Sequence, residues 1–336
     1  MKVLSEIASI NREQWDIFVA NHPKGNVFQT FEYASVLVLT ENAAPIVIAA
    51  MDGEELIGVM LGSIIVNGSS VLKWVTARSI IIGGPLAKND NPQIVSALLK
   101  AYRELLPSYV IYTEIRPIYS MDNLELDKNG LKRVGHYNLV MDITHSLEKL
   151  FDSMHKERKR NVKQAEKAGL IFREITDKSS ITDVVRLIRQ TYERKHVPLS
   201  YISIFDVVYE QMSAFTHFFG AWTKDGQMIA GQVRLCYGHL MYAWFAGSDD
   251  AYFKLRPNDF LMWNVIRWGH EHGYTIFDFG GGGEPGKPYG VRDYKLKYGC
   301  ECYDYGRYIY RHRPILYALA SFAYKTLQKI QNKGKE

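Results

Sequence analysis

Apolar positions along the chain recur with a period near two in some segments and near 3.6 in others, and their alternation predicts an α/β (α+β) molecule. Asn11 and Gln14 have the spacing of a capping box, which opens a helix running to Asn21. Residues 29–40 have helical spacing. Strand-like runs cluster over 45–84, broken at Asp52-Gly53 and Asn67-Gly68. Asp90-Asn91-Pro92 starts a helix to about Leu106, followed by a strand at 109–115, a short helix at 121–129 and a strand near 136–142. A single long helix is expected over 146–168, stopped by Gly169. Beyond it the pattern predicts a strand (170–175), helices (180–196 and 203–214), a hairpin at Asp225-Gly226 and a strand from Leu240 to Ala246. Pro257 to His272 is a helix with proline near its first turn and Gly273 past its end. Thr275 to Phe279 is a strand running into Gly280-Gly281-Gly282-Gly283, and the chain finishes with a strand (301–310) and an amphipathic helix (314–331).

One pattern occurs twice. Asp52-Gly53-Glu54-Glu55-Leu56-Ile57-Gly58 returns as Asp225-Gly226-Gln227-Met228-Ile229-Ala230-Gly231, and each copy lies between two apolar runs. Asp-Gly between strand-like runs signals a hairpin, because glycine takes positive φ without a Cβ clash and aspartate tolerates it. Two copies, one in each half, predict a duplicated α/β unit with a site between the copies. The length of 336 residues suits two domains. The expected division is 1–145, 146–312 with the active site, and 313–336 as a C-terminal helix. With no low-complexity linker, the halves are expected to share a firm interface.

Composition narrows the class. The chain is 47% hydrophobic and 23% charged, which describes a globular protein with an ample core rather than a disordered one. A net charge of +5 does not by itself make a nucleic-acid binder, but it suits an anionic ligand. The three cysteines, Cys236, Cys300 and Cys302, form no C-x-x-C and no signal peptide opens the chain, so free thiols and a cytoplasmic location are expected. On one strand Cys300 and Cys302 would point to the same face, where packing is the simpler reading than a metal. No apolar run nears the roughly 20 residues of a membrane span.

Candidate chemistry gathers in the second half. The segment from His155 to Lys167 holds six Lys/Arg against two Glu. Such a run is ordinarily a solvated face. Yet Arg158 falls on the apolar stripe of Leu147, Phe151, Met154, Val162 and Ala165, where it needs a partner: a carboxylate of the protein or a phosphate of a ligand. Arg160, Lys163 and Lys167 make a neighbouring row suited to a diphosphate or an RNA backbone. The stretch from Gly281 to Lys287 matches G-x-x-x-x-G-K, but Pro288 stands where a P-loop needs a hydroxyl for magnesium, so that reading is rejected. A loop lining a substrate cleft, with Gly281, Gly282 and Tyr289 on it and Arg292 and Tyr294 just beyond, is preferred. A lysine there is ordinarily a surface residue, but at the strand-to-loop end of an α/β sheet Lys295 could stabilise an oxyanion. Asp278, at the end of the preceding strand, reads either as a general base or as the cap of the turn. His270-Glu271-His272 at a helix end reads as favourable dipole charge, not as a metal site. The Gln/Arg-x-x-Gly-x-Gly/Ala loop that cradles coenzyme A pyrophosphate is absent.

Five marks in order carry a resemblance: Phe28-Gln29-Thr30-x-x-Tyr33; Gly83-Gly84-Pro85-Leu86; Arg160 through Gly169; Phe277-Asp278-Phe279-Gly280-Gly281; and Tyr294-Lys295-x-x-Tyr298-Gly299. In these the chain resembles the Fem-type peptidoglycan aminoacyltransferases, the FemAB-like branch of the GNAT acetyltransferase-like superfamily. The resemblance covers most of the chain. It implies two tandem GNAT-like domains, each a mixed, largely antiparallel sheet flanked by helices. It implies transfer of an aminoacyl group from aminoacyl-tRNA, without a cofactor, to an amine of a lipid-linked or nucleotide-linked peptidoglycan or other envelope precursor. Lys295 would stabilise the tetrahedral intermediate, Asp278 or Asp293 would take the amine proton, and Arg158 with the basic row would hold diphosphate or tRNA. The long helical-hairpin arm of some members is missing. Two other readings stand beside this one: an acyl-CoA-dependent N-acyltransferase acting on an envelope or exopolysaccharide sugar, and a non-catalytic binding module. The final helix, with Ile315, Leu316, Leu319, Phe322, Ala323 and Leu327 on one face and Arg311, Arg313, Lys325 and Lys329 beside it, is expected to pack on the first domain or to rest on the inner membrane surface.

Overall fold

A computed structural model of the protein describes residues 1–66, 73–197, 199 and 202–333. The chain forms two compact units, Met1–Val134 with Gly306–Glu336, and Gly135–Tyr305. The first contains β1 (Lys2–Leu4), α1 (Arg12–Asn21), α2 (Phe31–Leu39), β2 (Ala43–Asp52), β3 (Glu55–Ile65), α3 (Lys73–Thr76), β4 (Arg78–Ile82), β5 (Leu86–Ala87), α4 (Pro92–Leu105), β6 (Tyr112–Arg116) and β7 (Lys132–Val134). The second contains β8 (Tyr137–Asp142), α5 (Leu147–Ser153), α6 (Lys156–Lys167), β9 (Ile171–Ile175), α7 (Lys178–Arg194) and α8 (Ile204–Gln211). It continues with β10 (Thr216–Trp222), β11 (Met228–Tyr237), β12 (Leu240–Ser248), α9 (Pro257–Glu271), β13 (Ile276–Gly281), α10 (Gly290–Leu296) and β14 (Glu301–Asp304). The chain then returns to the first unit with β15 (Arg307–Arg311) and α11 (Pro314–Lys333).

The two sheets repeat one spatial order and one pattern of strand directions, with the sixth place taken by the late strand β15 in the first and by the unit's opening strand β8 in the second. Their orders are β1-β2-β3-β4-β6-β15-β7, with β5 off β3, and β9-β10-β11-β12-β13-β8-β14. In each, the fourth and fifth strands are parallel (β4 with β6, β12 with β13) and the other neighbours along the path are antiparallel. The recurring Asp-Gly motif makes the β2–β3 hairpin in one unit and the β10–β11 hairpin in the other, with Gly53 and Gly226 at positive φ. The closing glycine of each copy lies under a helix. A Cβ on Gly58 would meet Ile94 of α4 at 2.6 Å, and one on Gly231 would meet Val184 of α7 at 2.9 Å. Each unit has its own core, built around Ile48, Met60, Leu98 and Ile115 in the first and around Phe219, Leu261, Val265 and Phe277 in the second.

The division of the chain differs from the 1–145/146–312/313–336 expectation at both ends. β8 pairs with β13, so the second unit begins before its first helix, and β15 pairs with β6 and β7, so the end of the predicted 301–310 strand belongs to the first sheet. That strand is two strands, separated at Tyr305 and Gly306, where Gly306 has φ 72°. The expected helix over 146–168 is also two. Met154 and His155 are extended, the His155 N–H donates to the Lys297 carbonyl at 2.8 Å, and its ring accepts from the Glu157 N–H to cap α6. The expected break at Asn67-Gly68 lies outside the described residues.

The family marks of the first unit are structural. The buried Gln29 amide donates to the carbonyls of Leu61 and Ile82 and accepts from the Leu61 N–H, tying β3 to the end of β4. A Cβ on Gly84 would lie 2.5 Å from that amide, which requires glycine there. Thr30 caps α2 through the Tyr33 N–H. α11 packs on the first unit near its start, with Tyr317 edge-on to Tyr112 at 5.1 Å. Its Ile315, Leu319 and Phe322 remain exposed. No helix among the described residues is long and apolar enough to cross a membrane.

Candidate active site

The counterpart strands behave differently in the two units. β4 and β6 stay paired from Ser79–Thr113 to Ile82–Arg116. β12 and β13 pair only from Leu240–Ile276 to Tyr242–Asp278, although both strands run on. A bulge assists the divergence: Val233 faces Phe245 and Arg234 faces Ala243, so Trp244 is the extra residue on β12. In the wedge is a cavity of about 340 Å³, lined by Ala243 to Ala246 of β12, Phe279 of β13, Arg234 of β11, Met262 of α9, the end of α7, and Tyr289, Val291 and Lys295.

Lys295 is carried by α10, which begins at Gly290, just past the loop of the sequence reading, where no helix is expected. Its ammonium donates to the carbonyls of Phe279 (2.6 Å) and Gly281 (2.9 Å), which leaves one of its three N–H bonds for a ligand in the cavity. Burial lowers the pKa of Lys295, the nearby Asp278 partly opposes this, and the result is about 8. Asp278 is buried and caps the turn, Oδ1 accepting from the Gly280 N–H at 2.6 Å, while Oδ2 has no hydrogen-bond partner among the described residues. Burial raises its pKa to about 7. It does not line the cavity, and neither does Asp293, which is exposed on α10.

Several residues expected at the ligand are engaged within the protein instead. Arg158 meets an internal carboxylate: its Nη1 donates to Asp259 Oδ1 and its Nη2 to Glu157 Oε1, both at 2.5 Å. Asp259 also accepts from Asn161 (2.8 Å) and from the Tyr298 hydroxyl (2.7 Å), Tyr298 bonds Tyr294, and the Arg158 guanidinium lies 5.0 Å over the Tyr294 ring. Burial opposes the charge on Arg158, but Asp259 outweighs it and raises the pKa. This network fixes α10, and with it Lys295, against α6 and α9, so Arg158 and Tyr294 position the site without lining it. Arg292 donates to the carbonyls of Gly282, Glu284 and Lys287 and holds the glycine loop closed on itself. Gly281 and Gly282 approach side chains of the protein: a Cβ on the first would meet His136 at 2.7 Å and on the second Leu139 at 2.9 Å. Of the residues expected to line the cleft, Tyr289 and Lys295 do so.

Arg160 and Lys163 lie elsewhere, on the exposed side of α6. With Lys156 and Lys159 they surround a depression of about 530 Å³ that also holds Phe151, Glu148 and Asp152. Four cations against two carboxylates leave this surface positive. Lys163 rests 5.7 Å over the Phe151 ring. The two cysteines expected on one face are apart: Cys300 is buried, with its Sγ donating to the Lys295 carbonyl, and Cys302 is exposed. His270 bonds the Ile143 carbonyl and His272 stacks on Trp268, and no cluster suited to a metal occurs among the described residues.

The sequence reading missed Arg234, Trp244 and the end of α7. For Arg234 a signal existed. It is a lone charge in the continuously buried strand Met228–Cys236, the same anomaly that draws attention to Arg158.

Comparison with known proteins agrees with this anatomy. Residues 152–296 match the family described as the acetyltransferase (GNAT) domain, the segment that contains the wedge and Lys295. No curated protein matches the sequence. Among solved structures, FemX superposes with a TM-score of 0.72 at 17% identity, over 95% of this chain and 99% of that one. The L-PGS structure from Bacillus licheniformis gives 0.57 at 13%, over 93% and 96%. A tandem GNAT protein from the clavulanic acid biosynthesis pathway gives 0.57 at 11%, over 93% and 98%. The chain therefore shares the fold of FemX and of the tandem GNAT protein, and its second unit carries the acetyltransferase (GNAT) domain match.

Proposed function

We propose that the protein is an N-acyltransferase that moves an aminoacyl group from aminoacyl-tRNA to an amine of a peptidoglycan or other cell-envelope precursor, lipid-linked or nucleotide-linked. The observation that carries this reading is Lys295, an ammonium held by two backbone carbonyls at the edge of a cavity in the β12–β13 wedge. The acyl carbonyl enters the cavity and the acceptor nitrogen attacks its carbon. Negative charge grows on the carbonyl oxygen, where the remaining N–H of Lys295 offsets it. The ester C–O bond then breaks, and the tRNA terminal hydroxyl leaves with the proton that the amine gives up. The positive depression around Lys156, Lys159, Arg160 and Lys163 is the surface that takes phosphates of the tRNA. The similarity to FemX and to the L-PGS structure supports an envelope role, and their low identity leaves the transferred amino acid and the acceptor to experiment.

The GNAT domain match also favours a second reading, acyl-CoA as donor. The segment before α9 speaks against it. An anion-binding loop and helix start need free N–H groups, yet here Asp249 takes the Ala251 N–H, the Phe253 carbonyl takes the Arg256 N–H, and Pro257, which opens α9, has none.

Lys295→Ala is expected to lower turnover by about 10²–10³ while changing acceptor affinity little. An equal loss in turnover and in acceptor binding would mean that Lys295 holds substrate rather than the transition state.

A further inference from the structure

Arg234 has no counter-ion among the described residues. It is 1% exposed, and its nitrogens reach the Val233 carbonyl, the Gln232 side-chain oxygen and the Met262 sulfur, with the Phe277 ring 5.2 Å away. Its Nε has no hydrogen-bond partner among the described residues. A buried guanidinium is ordinarily matched by a carboxylate, as Arg158 is by Asp259, because an uncompensated charge in the interior is strongly destabilising. Arg234 instead lines the cavity, together with Lys295 and the exposed Lys195, and no acidic residue lines it among the described residues. The remaining walls are largely apolar, including Trp244, Phe245 and Val291. A net-positive, apolar-walled space of about 340 Å³ is built for a small organic anion rather than for a chain of phosphates.

We infer that the group entering this cavity carries a carboxylate, and that Arg234 is the residue that selects it. The guanidinium completes its hydrogen bonding with the carboxylate oxygens while Lys295 faces the reacting carbonyl. The carboxylate belongs either to the transferred acyl group, as an acidic side chain, or to the acceptor beside its amine. The inference takes the cavity as the transfer site, but its first test is independent of turnover.

Thermal melting of the full-length protein is followed with succinate and glutarate, each against its uncharged diamide, and with inorganic phosphate. The dicarboxylates are expected to raise the melting temperature and the diamides not to. Arg234→Met is expected to melt above the wild type without ligand, since it removes an unmatched charge, and to bind the dicarboxylates at least about tenfold more weakly. Arg234→Lys is expected to keep part of the response. Equal responses to diacid and diamide, a phosphate response as large as the dicarboxylate one, an unchanged response in Arg234→Met, or a lower melting temperature for that variant without ligand each overturns the assignment. Transfer assays then separate the sources. Preference for tRNA charged with Asp or Glu over Asn or Gln, lost in Arg234→Met, places the carboxylate on the donor. Sensitivity to amidation of the acceptor's carboxylate, lost in the same variant, places it on the acceptor. Turnover insensitive to both overturns the selecting role. Absence of transfer from every charged tRNA, with the melting response intact, counts against the aminoacyl-tRNA reading and leaves the pocket standing.

Discussion

Asp278, Lys295 and Arg234 of the second unit each have their charge opposed by burial, and each is held in a different way. Asp278 keeps one oxygen on a backbone N–H and leaves the other bare, Lys295 leans on two carbonyls, and Arg234 has only neutral partners. For Asp278 the consequence for stability has a definite sign. The folded protein holds the Asp278 proton up to about pH 7, whereas the unfolded chain releases it near its ordinary 3.8. The native state therefore binds more protons over that window, and stability falls as pH rises through it. Asp278→Asn, which keeps an oxygen for the Gly280 N–H, is expected to stabilise the protein at pH 8 by on the order of 2–4 kcal/mol and by much less at pH 4, measured by urea unfolding at both. Lys295 works the other way in catalysis. Its ammonium is lost above about pH 8, so single-turnover transfer is expected to decline there, and a rate that keeps climbing would make Lys295 a base instead of an oxyanion donor. At this scale the sequence showed Lys295 through its motif and Arg158 through its place on an apolar stripe. It could not show Arg158's partner, because Asp259 is 101 residues away and the two meet only when α6 packs on α9.

Elements decide which basic residues are free. Across the break at Met154 and His155 the apolar face is kept, with Leu150 and Met154, then Arg158, Asn161, Val162 and Ala165, inward and Arg160 and Lys163 outward. A periodicity drawn through the break as one helix finds these faces but not the break, since His155 is bound by the carbonyl of Lys297, far off in sequence. Arg158→Met is expected to destabilise the protein by about 3–5 kcal/mol, by leaving Asp259 buried without its cation. Arg160→Ala with Lys163→Ala is expected to leave unfolding within about 0.5 kcal/mol of wild type. The pair should weaken tRNA binding and reduce the salt slope of log K by about two. Unchanged tRNA affinity at low salt in the double variant would remove α6 from the tRNA surface. The glycine loop shows the same limit of sequence reading: its glycines look made for a ligand, but His136, Leu139 and Arg292 occupy the space they open.

For the whole molecule, a seven-residue repeat is enough to suggest duplication, and the first five strands of the two sheets bear that out in order and direction. The repeat was legible because an Asp-Gly hairpin is a local device whose chemistry survives in the sequence. What distinguishes the copies is non-local. Only pairing between strands separated by a helix shows that β4 and β6 stay zipped while β12 and β13 part to make a cavity. The same limit hid the return of β15 to the first sheet. The account rests on that one open wedge being a site of acyl transfer from aminoacyl-tRNA. The most direct test supplies the purified protein with bulk tRNA charged with labelled amino acids, and follows label into lipid-linked and nucleotide-linked envelope precursors, with and without RNase, and with labelled acyl-CoA in parallel. The account predicts transfer that RNase abolishes and that Lys295→Ala reduces by about 10²–10³. RNase-insensitive transfer from acyl-CoA, or no transfer from charged tRNA under any condition, would contradict it.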